Sequence, residues 1–127
     1  MRILEDIEKA LEGVDGVVNL AAIVGDPACA KEPEIAKETN YEATMKLYKM
    51  ANDNRVDRFV FASTCSNYGK MDDPSKFITE ESDLSPVSLY AETKVATEKF
   101  LLNQSKNNHC KPTCLRFSTV YGLSPRM

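Results

Sequence analysis

The residues best suited to chemistry are Tyr90 and Lys94, four apart in the segment SLYAETK. On a helix both side chains would project from the same face, about one turn apart. A phenol has an ordinary pKa near 10, so lowering that pKa to about 7 takes roughly 4 kcal/mol, and a neighbouring ammonium favours the phenolate. The spacing therefore fits a catalytic base. It also fits two ordinary neighbours on an amphipathic helix.

A second polar group follows the apolar run RFVFAS, residues 58–63, and includes Ser63 and Thr64. Ligands of open α/β sheets bind outside the carboxyl ends of the strands. We therefore expect these hydroxyls to lie near the helix that carries Tyr90 and Lys94. A hydroxyl, a phenol and an ammonium that converge on one substrate oxygen suit the oxidation of an alcohol or the reduction of a ketone.

Hydrophobic periodicity predicts the elements that would position these groups. Helices are predicted at 3–12, 34–54 and 88–106, and strands at 16–22, 58–63 and 112–117, whereas the Gly and Pro residues of 25–33 predict a loop. A long loop is predicted at about 70–87, and another after residue 117. Helices that alternate with strands indicate an open α/β sheet with parallel strands.

Composition sets limits on function. The chain has 127 residues, so we expect one domain or a part of one, and its net charge is -3. Because phosphate neutralisation needs a basic face, we expect no nucleic-acid partner. No apolar run reaches the roughly 20 residues that span a bilayer, and the first 13 residues lack the apolar region of a signal peptide. A cytoplasmic location without membrane binding is the expectation.

The cysteines do not predict a metal site. The four cysteines form no CxxC pair. His109, Cys110 and Cys114 lack a fourth ligand at a sensible spacing, and Cys114 falls in a predicted strand. We expect reduced, partly buried thiols and no metal.

Five segments in order resemble one family. They are VVNLAA, ETNYEAT, FVFASTCSNYG, SLYAETK and LRFSTVYGLSPR. These segments are similar to successive blocks of the extended short-chain dehydrogenase/reductases, in the NAD-dependent sugar-nucleotide epimerase and dehydratase group that includes UDP-glucose 4-epimerase. The resemblance implies that residues 1–127 are part of a doubly wound, Rossmann-like parallel sheet that binds NAD, or NADP in its place, and contains the catalytic segment.

The resemblance also implies roles for individual residues. Tyr90 would be the base, Lys94 its partner and a ribose contact, and Thr64 the hydroxyl that completes the triad. Asn40 matches a helix residue that supports the active site. The implied cofactor-binding residues are Leu20, Ala21, Ala22, Asn40, Ser63, Tyr90, Lys94, Phe117 and Ser118. The implied substrate-binding residues are Thr64, Cys65, Ser66, Tyr90 and Thr119.

Within this family, the residues after Thr64 separate two reactions. Sugar 4,6-dehydratases carry an Asp and a Glu there, whereas this chain has Cys65 and Ser66, which cannot serve as the acid and base of water elimination. Epimerisation through a transient 4-keto sugar needs no such pair. Thr119 stands where four-epimerases commonly have an Asn that touches the sugar diphosphate, which leaves the sugar open.

Two expected parts of the family are missing from the sequence. The GxxGxxG turn that binds the pyrophosphate does not occur, and neither does the substrate domain that follows in relatives. We therefore expect a central fragment, with a homodimer for the intact enzyme. The main hypothesis is an NAD-dependent epimerase or reductase acting on a nucleotide sugar. The alternatives are a truncated, non-catalytic α/β module that acts as a scaffold or needs a partner, and a reductase of a non-nucleotide alcohol.

Overall fold

A computed structural model describes residues 4–70, 75 and 77–123. The three strands of this part are β1 (Gly16–Asn19), β2 (Arg58–Thr64) and β3 (Lys111–Phe117). The α-helices are α1 (Leu4–Leu11), α2 (Asp26–Lys31), α3 (Pro33–Lys37), α4 (Ala43–Asp53) and α5 (Leu89–Gln104). A π-helical turn, Glu38–Glu42, joins α3 to α4, and a 3-10 turn, Cys65–Tyr68, follows β2.

The strands form one parallel sheet in the order β1-β2-β3. Asn19 pairs with Phe61, and Thr64 pairs with Phe117. Because all three strands run in the same direction, their carboxyl ends meet at one edge of the sheet. The predicted open α/β sheet is confirmed, and so is the expectation that its polar segments share an edge.

The core lies between one face of the sheet and the helices. Tyr48 of α4 packs edge-on against Phe59 of β2, with ring centroids 5.4 Å apart, and its hydroxyl donates a hydrogen bond of 2.8 Å to the carbonyl of Cys110. Further buried members are Leu11, Leu47, Ala51, Val56, Phe61 and Leu101. Alternate residues point to the opposite face, where Val18 is 64% exposed and Phe117 is 44% exposed. The helices of the described part therefore bury one face of the sheet.

The connection from β1 to β2 differs from the prediction. Residues 25–33 were expected to form a loop, which is wrong, because α2 occupies most of that range. Pro27 lies in the first turn of α2 and Pro33 in the first turn of α3, where a missing N–H costs nothing. The predicted helix at 34–54 is helical, but the π turn interrupts it and turns Asn40 inward.

The remaining elements follow the prediction, except that β1 ends at Asn19 whereas the predicted strand ran to residue 22. Ser88 caps α5 by accepting a hydrogen bond from the N–H of Ala91. The predicted loop at 70–87 is only partly within the described residues, since 71–74 and 76 lie outside them. Gly69 has a φ of 72°, and a Cβ there would lie 2.0 Å from the carbonyl oxygen of Ser85. The backbone after β2 therefore lies directly against the segment that leads into α5.

Candidate active site

Lys94 is buried at the centre of the candidate site. It is 2% exposed, and its Nζ donates a hydrogen bond of 2.8 Å to the carbonyl of Ala62 in β2. The ammonium lies 4.6 Å from the ring centroid of Phe61 and 5.7 Å from that of Tyr90. Burial lowers the pKa of Lys94 to about 8. An ammonium has three N–H donors, so two remain available after the bond to Ala62.

Tyr90 lies beside Lys94, in the first turn of α5. Burial raises the pKa of its phenol, and nearby Cys29, Asp26 and Cys65 raise it further. The residues around Tyr90 thus keep its proton in place. The sequence led us to expect that Lys94 would stabilise the phenolate, but its ammonium lies over the aromatic ring and is held by Ala62.

Thr64 ends β2 and caps the following 3-10 turn. Its Oγ1 accepts a hydrogen bond of 3.1 Å from the N–H of Ser66 and donates one of 3.2 Å to the Ser66 hydroxyl. Cys65 and Ser66 are exposed, and Cys65 is close enough to Tyr90 to raise the pKa of the phenol. The structure therefore brings the residues that follow β2 to the start of α5.

Asn40 fixes the loop that follows β1. It is fully buried, its Oδ1 accepts from the N–H of Ile23 at 2.8 Å, and its Nδ2 donates to the carbonyl of the same residue at 3.0 Å. Thr97 of α5 donates to the carbonyl of Asn40. The Asn40 side chain therefore supports the loop and also donates to Thr93 of α5 at 3.5 Å, so both of its polar atoms are engaged within the protein.

The other predicted cofactor and substrate residues lie at the same edge. Leu20 and Ala21 are exposed and Ala22 is half-buried after β1, while Phe117, Ser118 and Thr119 are exposed at the end of β3. Ser63 differs, because its hydroxyl points into the helix layer and donates to Glu98. Its hydroxyl is therefore already engaged within the protein.

The sequence analysis missed three residues that bind Ser63 or its partner. These are Asn67, Glu98 and Arg116, which join Ser63 in a buried polar group. Glu98 follows Lys94 by four residues, the same interval that separates Lys94 from Tyr90. That repeated helical spacing was a readable signal, because it places three polar residues on one face of α5.

A cleft of about 970 Å³ lies beside this group, between β3 and residues 78–80. Its walls include Ile78, Leu102, Leu115 and Phe117, with Arg116 among the polar lining residues. Neither Tyr90 nor Lys94 lines it. The cleft is therefore adjacent to the candidate catalytic groups and not the space directly above them.

Searches for two other kinds of feature were negative within the described ranges. Over residues 4–70, 75 and 77–123, no three His, Cys, Asp or Glu side chains are grouped so that they could hold a metal ion. No helix in the same part of the chain is long and apolar enough to cross a membrane.

Comparison with known proteins gives consistent matches. The model of the NAD dependent epimerase/dehydratase family matches residues 1–127. A UDP-glucose 4-epimerase of Lactobacillus helveticus is 34% identical over 114 residues, which are 89% of this chain and 34% of that protein. The chain thus spans about a third of the length of the relatives it matches.

Two solved structures are similar to this chain in fold. A UDP-glucuronic acid 4-epimerase from Bacillus cereus, in complex with UDP-glucuronic acid and NAD, is 32% identical with a TM-score of 0.83, over 92% of this chain and 37% of that one. A double mutant of a dTDP-glucose 4,6-dehydratase from Streptomyces venezuelae, with NAD bound, is 30% identical with a TM-score of 0.83, over 91% of this chain and 35% of that one. Epimerases and a dehydratase are thus similar to the chain to nearly the same degree.

Proposed function

The chain belongs to the NAD-dependent epimerase/dehydratase family, and from that membership we propose that it carries the catalytic segment of an NAD-dependent enzyme that removes and returns a hydride at a secondary alcohol of a nucleotide sugar. The observation that supports this most is the face of α5. Tyr90 and Lys94 lie together there, directly beside the end of β2. The proposed acid–base group and the proposed cofactor contact therefore meet at one sheet edge.

The residues favour epimerisation or reduction over dehydration. Cys65 and Ser66 follow Thr64, and neither side chain is a carboxyl group that could pass a proton to a leaving hydroxide. A 4-epimerase needs one proton site and one hydride carrier. The chain offers the proton site in Tyr90, so we propose a 4-keto intermediate formed and reduced at the same edge.

The residues fit the nicotinamide-ribose end of NAD. Lys94 keeps two unused N–H donors at the carboxyl ends of the strands, where ribose hydroxyls could accept them. Exposed Leu20, Ala21 and Phe117 supply apolar surface for a ring. When bound, the cofactor accepts and returns the hydride and adds a positive charge. NADP would make the same contacts at this end.

The proton step falls to Tyr90. In the free chain its pKa is raised, so Tyr90 holds its proton and is ready to act as an acid when a ketone is reduced. To act as a base it must lose that proton, which requires added positive charge near the phenol. Rotation of Lys94 from Ala62 towards a ribose would bring part of that charge. Thr64 would then orient the substrate oxygen with its hydroxyl.

Features of the whole enzyme are part of the same proposal. We propose a nucleotide diphosphate sugar as substrate, of the type that the UDP-glucose and UDP-glucuronic acid epimerases act on. A homodimer and a cytoplasmic location remain predictions.

Tyr90→Phe tests the proposal. The proposed activity is that of the intact enzyme, so the full-length protein encoded by the gene would be incubated with NAD and, in turn, UDP-glucose, UDP-glucuronic acid and dTDP-glucose, and products would be resolved by proton NMR. We expect a 4-epimer from at least one sugar, and a rate lowered roughly 10²- to 10⁴-fold in Tyr90→Phe. Tyr41→Phe is the matched control and should keep the parent rate. NAD binding without turnover of any sugar would favour the scaffold.

A further inference from the structure

Three buried side chains and the half-buried Arg116 form a polar group beneath the candidate site, which we call the Glu98 cluster: Ser63, Asn67, Glu98 and Arg116. The Glu98 carboxylate accepts from the Ser63 hydroxyl and from Asn67 Nδ2, the latter at 2.9 Å. Arg116 adds bonds from Nε and from Nη2, the latter at 2.7 Å. Glu98 is 1% exposed, and its bonds with Ser63 and Asn67 are buried, whereas those with Arg116 are partly buried.

The Glu98 cluster connects the segments that surround the end of β2. Ser63 belongs to β2, Asn67 to the 3-10 turn, Glu98 to α5 and Arg116 to β3. Arg116 also donates to the hydroxyl of Tyr68 at 2.8 Å and to the carbonyl of Glu80 at 3.0 Å. One carboxylate and one guanidinium therefore join two strands, a helix, a turn and the loop before α5.

The contacts of α5 with β2 are made in sequence. Lys94 bonds to the carbonyl of Ala62, and Glu98, one turn later, bonds to the hydroxyl of the next residue, Ser63. Thr64 comes directly after them. The position of its hydroxyl relative to the first turn of α5 is thus set by two consecutive bonds.

Asn67 supports a functional reading of this arrangement. Its Nδ2 donates to Ser63 and Glu98, but its buried Oδ1 has no hydrogen-bond partner among the described residues. A buried acceptor without a partner is costly. One of its two donated bonds holds Ser63 at the end of β2, and the other holds Glu98 of α5.

From these contacts we propose that Glu98 is a positioning residue of the enzyme. It holds Ser63, and through it the backbone of Thr64, at a fixed place against α5, so that the Thr64 hydroxyl and the Tyr90 phenol face the same substrate oxygen. The role in turnover rests on the function proposed above. The mechanical role, which is to immobilise the end of β2, is independent of that function.

The rival explanation is that the Glu98 cluster serves stability alone. Buried ion pairs can often be replaced by uncharged residues without loss of stability, whereas removal of one partner is strongly destabilising. The pair Glu98 and Arg116 can therefore be removed together, which separates the two explanations. If the Glu98 cluster served stability alone, the double variant would regain its activity along with its stability.

The experiment compares Glu98→Leu, Arg116→Met and the double variant in the full-length protein, with Ser105→Ala as the control that loses one hydrogen bond at the far end of α5. We expect each single variant to lower the unfolding midpoint by several degrees and the double variant to recover most of that loss. The kcat of the double variant should remain roughly 10²-fold down, with the Kd for NAD within about two-fold of the parent. Recovery of kcat together with the midpoint would overturn the proposal.

A second readout needs no turnover. Cys65 is the exposed thiol of the four cysteines, while Cys29 and Cys110 are buried and burial raises the pKa of the half-buried Cys114 to about 12. A nitroxide on Cys65 should give an immobilised spectrum in the parent and in Ser105→Ala, and a mobile one in Ser63→Ala and in the double variant. Equal mobility in all four would refute the positioning role. An inactive parent with the expected spectra would refute only the epimerase proposal.

Discussion

Lys94→Met should make the chain more stable at neutral pH. The Lys94 ammonium is almost fully buried, and its described hydrogen-bond partner is a carbonyl rather than a carboxylate. Burial lowers its pKa from 10.5 to about 8. This difference lowers the free energy of unfolding by roughly 3 kcal/mol while Lys94 is charged. A methionine of similar length fills the space without that cost.

The sign of the pH dependence follows from the same gap. Between pH 8 and 10.5 the unfolded chain binds more protons than the folded chain, so the contribution of Lys94 to stability rises with pH and is lost as pH falls towards 8. From pH 7 to pH 9.5 the parent should gain about 2 kcal/mol relative to Lys94→Met. Buried thiols and phenols also titrate in this range, but both chains share them, so their effects largely cancel in the difference.

The assay is urea unfolding of both chains under reducing conditions at pH 7 and pH 9.5, with the exposed Lys99→Met as control. We expect Lys94→Met to exceed the parent at pH 7 and this difference to shrink by about 2 kcal/mol at pH 9.5, while Lys99→Met stays parallel to the parent. A Lys94→Met chain that is less stable at pH 7, or a difference that does not change with pH, would refute the reasoning. Its NAD-dependent activity should be lost at both pH values.

Two further predictions concern the backbone around the site. Gly69→Ala should lower the free energy of unfolding by more than about 2 kcal/mol, because it combines a left-handed φ with a Cβ 2.0 Å from a carbonyl oxygen. Gly13→Ala is the control. Gly13 has a similar φ without a clash, so this change should cost only about 1 kcal/mol. Equal costs in urea unfolding would contradict this reading. Ser88→Ala should cost about 1 kcal/mol through the lost cap of α5 and should lower turnover because Tyr90 lies in the next turn. Unchanged stability by the same method would show that the cap is not needed.

The sequence predicted the strand and the helix that carry the candidate site. The apolar run RFVFAS was found as β2, and the helix at 88–106 was found although its apolar residues are not confined to one face. The segment 25–33 was misread because Gly25, Pro27 and Pro33 are strong loop signals. Pro is also common in the first turn of a helix, and only packing decides between a loop and a helix. Cys29 is fully buried, and this burial favours the helix.

The candidate site was predictable in its members but not in their bonds. The spacing of Tyr90 and Lys94 follows from helical geometry, and both lie where the spacing placed them. The direction in which the pKa of Tyr90 moves depends on burial and on Cys29, Asp26 and Cys65, which come from three separate segments. Ser63 was expected to face the cofactor, and its engagement with Glu98 became visible only when α5 was placed against β2.

One face of α5 shows why the positions of the site residues can be predicted from the sequence while their hydrogen bonds cannot. Tyr90, Lys94 and Glu98 recur every fourth residue, and each is at least half-buried where an apolar residue would pack at lower cost. Glu98 is paired with the opposite charge of Arg116, whereas Lys94 contacts a carbonyl and two aromatic rings and has no carboxylate partner among the described residues. A helix selected for stability alone would compensate both or replace both. The charge of Lys94, which has no carboxylate partner, lies at the edge of the sheet, and the paired charge of Glu98 lies beneath it. A ligand that enters from that edge would meet the unpaired charge first.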